Sequence, residues 1–223
     1  MKTIISIFCV MLALGALGQN KDFGIWTSGT FQYKYSKQLD FAITPELRWD
    51  RNVTRWRTRL LDFKAKYEFY DNWSAIGVIR VGGTQRNAGW QGRTRFQLGV
   101  NYKKKINEFL FSGTSRVQRG RTEETATREA DLNNNWRNKV QATYKGLKKL
   151  DVSLSFELFH SLMKIDRFKL TDYRWVLEGE YKLNKSNFIG LGYLIQNEFQ
   201  TGLDNRDRVL LFSYKHVMRK NDK

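Results

Sequence analysis

The stretch Arg93-Thr94-Arg95-Phe96-Gln97-Leu98-Gly99-Val100-Asn101-Tyr102 decides the fold. Successive side chains of an extended chain point to opposite sides. Thr94, Phe96, Leu98, Val100 and Tyr102 therefore share one face, and Arg93, Arg95, Gln97, Gly99 and Asn101 share the other. Period-two alternation of this kind marks a strand with two different surroundings. The run is about ten residues long, against a usual strand length of roughly five or six. A tilted strand that crosses a bilayer needs about 9–11 residues.

The same pattern recurs on both sides of this stretch. Leu39, Phe41, Ile43, Leu47 and Trp49 alternate with Asp40, Thr44, Glu46, Arg48 and Asp50. Leu150, Val152, Leu154, Phe156 and Leu158 alternate with Asp151, Ser153, Ser155 and Glu157, and Tyr173, Trp175, Leu177, Gly179 and Tyr181 with Asp172, Arg174, Glu178 and Glu180. Tyr33, Tyr67, Tyr102, Tyr144, Tyr181 and Tyr214 lie 33 to 42 residues apart, one long hairpin each time, and all but Tyr67 are followed by lysine. Short polar turns follow these tyrosine ends, at Ser36-Lys37-Gln38, Asp71-Asn72, 104–107, 146–149 and Asn184-Lys185-Ser186. The opposite ends carry longer charged or glycine-rich links, at 82–92, 118–135, 161–170 and 199–206. Short turns at one mouth and longer loops at the other are the outer-membrane arrangement. The reading predicts an all-β, closed antiparallel up-and-down transmembrane β-barrel of ten to twelve strands, with the tyrosines as an aromatic girdle. Eleven strands are counted, near 23–35, 39–50, 56–69, 73–82, 93–103, 108–118, 136–145, 150–160, 171–182, 187–197 and 207–217. The odd number and Pro45, which suits only an edge or a bulge, mark the first strand as one that is misread or does not close the barrel in the normal way.

Upstream, Lys2 precedes an apolar run from Ile4 to Leu17, and Ala16-Leu17-Gly18 offers small residues before Gln19. This is the pattern of a cleavable signal peptide over residues 1–18, too short to cross a bilayer as a helix. Residues 19–223 are the expected barrel domain. Cys9 is the one cysteine and lies inside the apolar run after Ile7-Phe8, which is unsuited to lipidation, so the mature chain has neither disulfides nor a thiolate metal site. The formal charge of +17 and a pI near 10 would suit nucleic acid, but export removes that partner. Outer-membrane lipid, lipopolysaccharide, acidic sugars and small anions are the polyanionic or anionic partners expected instead. A mean hydropathy of −0.58 does not argue against a membrane barrel, whose apolar outer residues are diluted by polar inner ones.

The segments Ile25-Trp26-Thr27 through Tyr33, Glu46-Leu47-Arg48, and Arg57-Thr58-Arg59 running to Tyr67, Asn72 and Trp73 resemble the Bacteroidetes family catalogued as domain of unknown function 2490. The likeness extends over nearly the whole mature chain. It implies an outer-membrane barrel, and it brings no catalytic residues with it.

Candidate chemistry is sparse. His160-Ser161 is the one pairing that suggests a nucleophile and base, but adjacent strand residues face opposite ways, so they cannot hydrogen-bond as a dyad. His160 and His216 read as interface residues. Glu123-Glu124 and Asp131 lie among Arg119, Arg121 and Arg128 and read as solvated or paired, and two isolated histidines make no metal site. Gly190 and Gly192 read as strand glycines. No catalytic residue, metal or cofactor is expected. The informative set is the inward face, where strand parity puts Arg48, Lys64, Lys66, Arg80, Arg93, Arg95, Arg116, Arg137, Lys139 and Arg174. Asp40, Glu46, Asp62, Asp151, Glu157, Glu178 and Glu180 are expected on the same face, with most of Arg48, Arg80, Arg95, Arg116 and Arg174 paired with Glu46, Asp62, Glu157, Glu178 or Glu180. Such a lumen is either a salt-bridged filling or a narrow passage favouring small anions or acidic sugars. Arg51, Arg55, Arg57 and Arg59 lie near one strand end, where they could meet lipopolysaccharide phosphates. A barrel hydrolase with a cross-strand partner for His160, and a soluble lipocalin-like binding barrel of the periplasm, are the competing readings.

Overall fold

The computed structural model describes residues 23–86, 89–123, 131–163, 168–199 and 205–220. The expected signal peptide, its cleavage site and Cys9 lie outside the described residues, as do Glu124 and Arg128. The described residues form eleven strands: β1 (Phe23–Lys34), β2 (Leu39–Asp50), β3 (Arg55–Tyr70), β4 (Trp73–Arg86), β5 (Gly89–Ile106), β6 (Phe109–Thr122), β7 (Asp131–Tyr144), β8 (Leu150–Ser161), β9 (Leu170–Lys182), β10 (Asn187–Glu198) and β11 (Asn205–Arg219). Each strand pairs with its sequence neighbours in antiparallel fashion, and β1 pairs with β11 to close the barrel.

The closing pair corrects the expectation of a wholly antiparallel wall. β1 and β11 run parallel, from Phe23 opposite Arg208 to Lys34 opposite Arg219. An up-and-down wall with an odd number of strands has its first and last strands running the same way, so only a parallel seam can close it. Pro45 pairs with Leu61 of β3 on one side. On the other side the β1–β2 ladder keeps its register but has no pairs between Ser28–Glu46 and Phe31–Ile43, so the ladder hydrogen bond that proline cannot donate falls in a gap.

The strands also run further than the alternation showed at the mouth opposite the tyrosines. β4 and β5 pair up to Arg86 and Gly89, and β6 and β7 up to Thr122 and Asp131, so much of 82–92 and 118–135 is strand. Beyond an apolar band both faces of a strand can be polar, and the period-two signal disappears although the ladder continues. At the tyrosine mouth the turns are tight, and Asn72 (φ 68°) and Asn107 (φ 50°) occupy the left-handed region that asparagine tolerates.

The distribution of side chains is inverted relative to a soluble barrel. Leu98 is 73% exposed and Val140 60%, and Phe96, Val117, Leu154 and Trp175 also lie open on the outside. The residues alternating with them are polar and covered, among them Gln97, Asn101, Gln118, Arg137, Ser155 and Glu157. An apolar exterior around a polar interior is the arrangement of a transmembrane β-barrel. Tyr33, Tyr67, Tyr144 and Tyr214 are exposed near the short-turn mouth, and Tyr102 packs on Trp73 with ring centroids 4.9 Å apart. Tyr181 lies opposite Leu150 and Ile189 at the same end.

Candidate functional site in the barrel lumen

The lumen holds a cavity of about 850 Å³. Its lining contains all ten cations that parity assigned to the inward face, together with Arg57, Arg86, Lys103 and Arg208. Counting Glu157, which the arginines cover, these fourteen face seven carboxylates, Glu46, Asp50, Asp62, Glu157, Asp172, Glu198 and Asp207, an excess of seven positive charges. Lys103 is missed because the alternation is traced only as far as Tyr102. Asp172, Glu198 and Asp207 lie on β9, β10 and β11 at the long-loop mouth, across from the basic wall of β4 to β7.

Seven arginines meet in the middle, and strand pairing fixes how they are neutralised. Asp62 lies opposite Arg80, which donates to it from Nε (2.6 Å) and Nη2 (2.7 Å) in a two-pronged contact. Glu46 bonds Arg48 on its own strand and lies 3.7 Å from Arg80. The Arg48 guanidinium sits 3.6 Å from the centroid of Trp26, reached from the neighbouring β1. Glu157, 5% exposed, accepts from Arg116 Nη2 (3.0 Å) and from Arg137 Nε (3.1 Å) and Nη2 (2.9 Å), and Arg174 Nη1 is 3.8 Å away. Arg137 donates also to Gln118 Oε1, and Arg174 to Gln196 Oε1 at 2.6 Å. Phe159 lies beneath both, 4.5 Å from the Arg137 guanidinium and 5.1 Å from that of Arg174. The stem of Arg116 lies over Gly99, where a Cβ would stand 2.5 Å from its Cγ.

Two arginines are left over. Arg95 faces Arg80 on one side and Gly120 on the other, and Arg93 faces Gly82 and Thr122. Among the described residues neither has an ion pair or a side-chain hydrogen bond, and Arg95 Nε is buried without a partner. This corrects the expectation that Glu178 or Glu180 would neutralise central arginines. Both sit nearer the short-turn mouth, where Glu180 pairs with Lys215 at 2.5 Å and Glu178 lies beside Gly190. Asp40 accepts from Gln32, and Asp151 pairs with Lys145, at the same end. Lys66 pairs with Glu68, while Lys64, Lys103 and Lys139 have no ion pair among the described residues.

His160 packs on the Trp136 ring at 5.8 Å, its register neighbours being Trp136 and Leu170, so no serine or aspartate meets it across strands. Ser161 Oγ accepts from the Met163 N–H. His216 Nδ1 contacts Asn187 Oδ1. At the long-loop mouth Asp50 takes Arg55 and Arg57, while Arg59 lies 3.8 Å from Trp56 and 5.4 Å from Trp90. Among the described residues no three His, Cys, Asp or Glu side chains form a metal-binding group.

Wall and lumen together define a transmembrane β-barrel with a basic interior. The chain belongs to the family described as protein of unknown function (DUF2490), which matches it over residues 23–207. Two solved structures are similar to it at 11% identity. One is the NanC porin in a rhombohedral crystal form, with 82% of this chain and 92% of that one covered and a TM-score of 0.49. The other is the KdgM porin, with 78% and 89% covered and a TM-score of 0.46. No curated protein matches the chain.

Proposed function

We propose that this chain is a non-enzymatic barrel of a Bacteroidetes outer membrane, working without a cofactor as a narrow passive channel that favours small anions, including acidic sugars. The observation that carries the reading is the excess of cations in the lining, with Arg93 and Arg95 without an ion pair along the lumen. Basic rings in a low-dielectric wall raise the local concentration of anions and repel cations. Arg59, with Trp56 and Trp90 on the outer rim, would meet lipopolysaccharide phosphates. Residues 1–18 would act as the export signal.

The channel reading is tested by reversal potentials of refolded protein in planar bilayers under a potassium chloride gradient. Anion preference is expected, and cation preference or a sealed pore would reject it. Intact-mass analysis of protein recovered from outer membranes should show a chain beginning at Gln19; retention of residues 1–18 would reject the export signal.

A further inference from the structure

We infer that Arg93, Arg95 and Gln97 form a binding site for hydroxylated carboxylic acids on the inner face of β5. The inference rests on the channel reading and adds a ligand class to it. Two buried polar atoms carry it, Arg95 Nε and Gln97 Oε1, neither of which has a hydrogen-bond partner. Gln97 is 4% exposed. Leaving such groups unpaired away from bulk water is costly, so they are aimed at something that visits. The two residues share a face two positions apart, about 7 Å along the strand, with Arg93 as far again toward the long-loop mouth.

The complementary chemistry follows from the atoms. A guanidinium edge is a planar fork of parallel N–H donors and matches a carboxylate, which it holds by two bonds. Gln97 Oε1 accepts only, so it needs a hydroxyl or an N–H from the ligand. A chloride ion could meet the charge but neither the fork nor the acceptor. An acid with a hydroxyl near its carboxylate satisfies both, and Arg93 can take a second carboxylate. Gly120, opposite Arg95, leaves the space open: a Cβ there would stand 3.8 Å from Arg95 Nε. No carboxylate among the described residues competes for the fork.

The probes are malate and succinate, which differ by one hydroxyl. Each is titrated against the chloride current of the wild-type barrel and, separately, against the refolded protein in detergent by calorimetry. Malate should block and bind at lower concentration than succinate. Gln97→Leu should erase that difference and leave succinate unchanged. Arg95→Lys, which keeps the charge but loses the fork, should weaken both acids by about tenfold. Equal binding of malate and succinate by wild type, or an Arg95→Lys barrel that binds both as wild type does, would overturn the inference. Anion preference with no acid binding would overturn it and leave the channel standing. A barrel that binds malate by calorimetry but does not conduct would remove the channel and leave the site. Heat-modified mobility on gels verifies that each variant is folded.

Discussion

Glu157→Gln should cost the barrel about 3 kcal/mol of stability, the range seen when one partner of a buried ion pair is removed. Among the described residues, Glu157 is the one carboxylate in contact with Arg116, Arg137 and Arg174. Arg116 and Arg137 stand directly opposite each other on β6 and β7, so their separation cannot relax without moving the ladder. Glutamine has the same size, so no cavity forms and the effect is electrostatic. It is read as a lower urea midpoint for the refolded barrel in lipid vesicles. Glu180→Gln is the control, because Glu180 pairs with Lys215 near the mouth and a partly exposed pair contributes under about 1 kcal/mol. The loss of one negative charge should also raise anion preference. Equal midpoint shifts for the two variants would show that Glu157 does not hold the arginines together.

Leu98→Arg should fail to insert or lose about 2–4 kcal/mol, the cost of arginine on the lipid face at mid-bilayer. Leu98 lies in the middle of β5 between Gly77 and Val117 and is among the most open residues of the wall. In a water-soluble barrel the same change would replace an exposed apolar group by a charged one at almost no cost, and would improve solubility. Folding yields into vesicles therefore separate the two surroundings. The neighbouring inward change Gln97→Leu serves as the control for altering this strand without touching lipid. An unchanged Leu98→Arg barrel would mean that this face does not meet hydrocarbon.

The wall was legible wherever the chain crosses between two different media. From Arg93 to Tyr102 each residue had one of two environments, so parity alone assigned the faces. Between Arg119 and Asn135 that contrast ends, and the continued pairing of β6 with β7 left no periodic trace. Parity also gives a side chain its face but not its height. Glu178 and Arg95 were both assigned inward, yet Glu178 lies toward the short turns and Arg95 has Arg80 and Gly120 as neighbours. Which carboxylate meets which arginine depends on the stagger between strands, and that becomes visible only when the ladder closes. The odd count marks the first strand as an abnormal closing strand, but the parallel sense of the seam stays hidden because each local connection is an antiparallel hairpin.

That seam has a topological result. β1 enters from the long-loop mouth, where the Phe23 N–H reaches Asn52, and β11 leaves at the short-turn mouth, where the Lys220 N–H bonds the Lys34 carbonyl. In a barrel with an even strand count both termini emerge in one compartment. Here the two ends of the wall lie on opposite sides of the sheet's hydrophobic belt, so an epitope placed before β1 and one placed after β11 would report different compartments. Insertion by successive hairpins also leaves a single strand without a hairpin partner, and its amino end must be carried across the bilayer before the ring can shut.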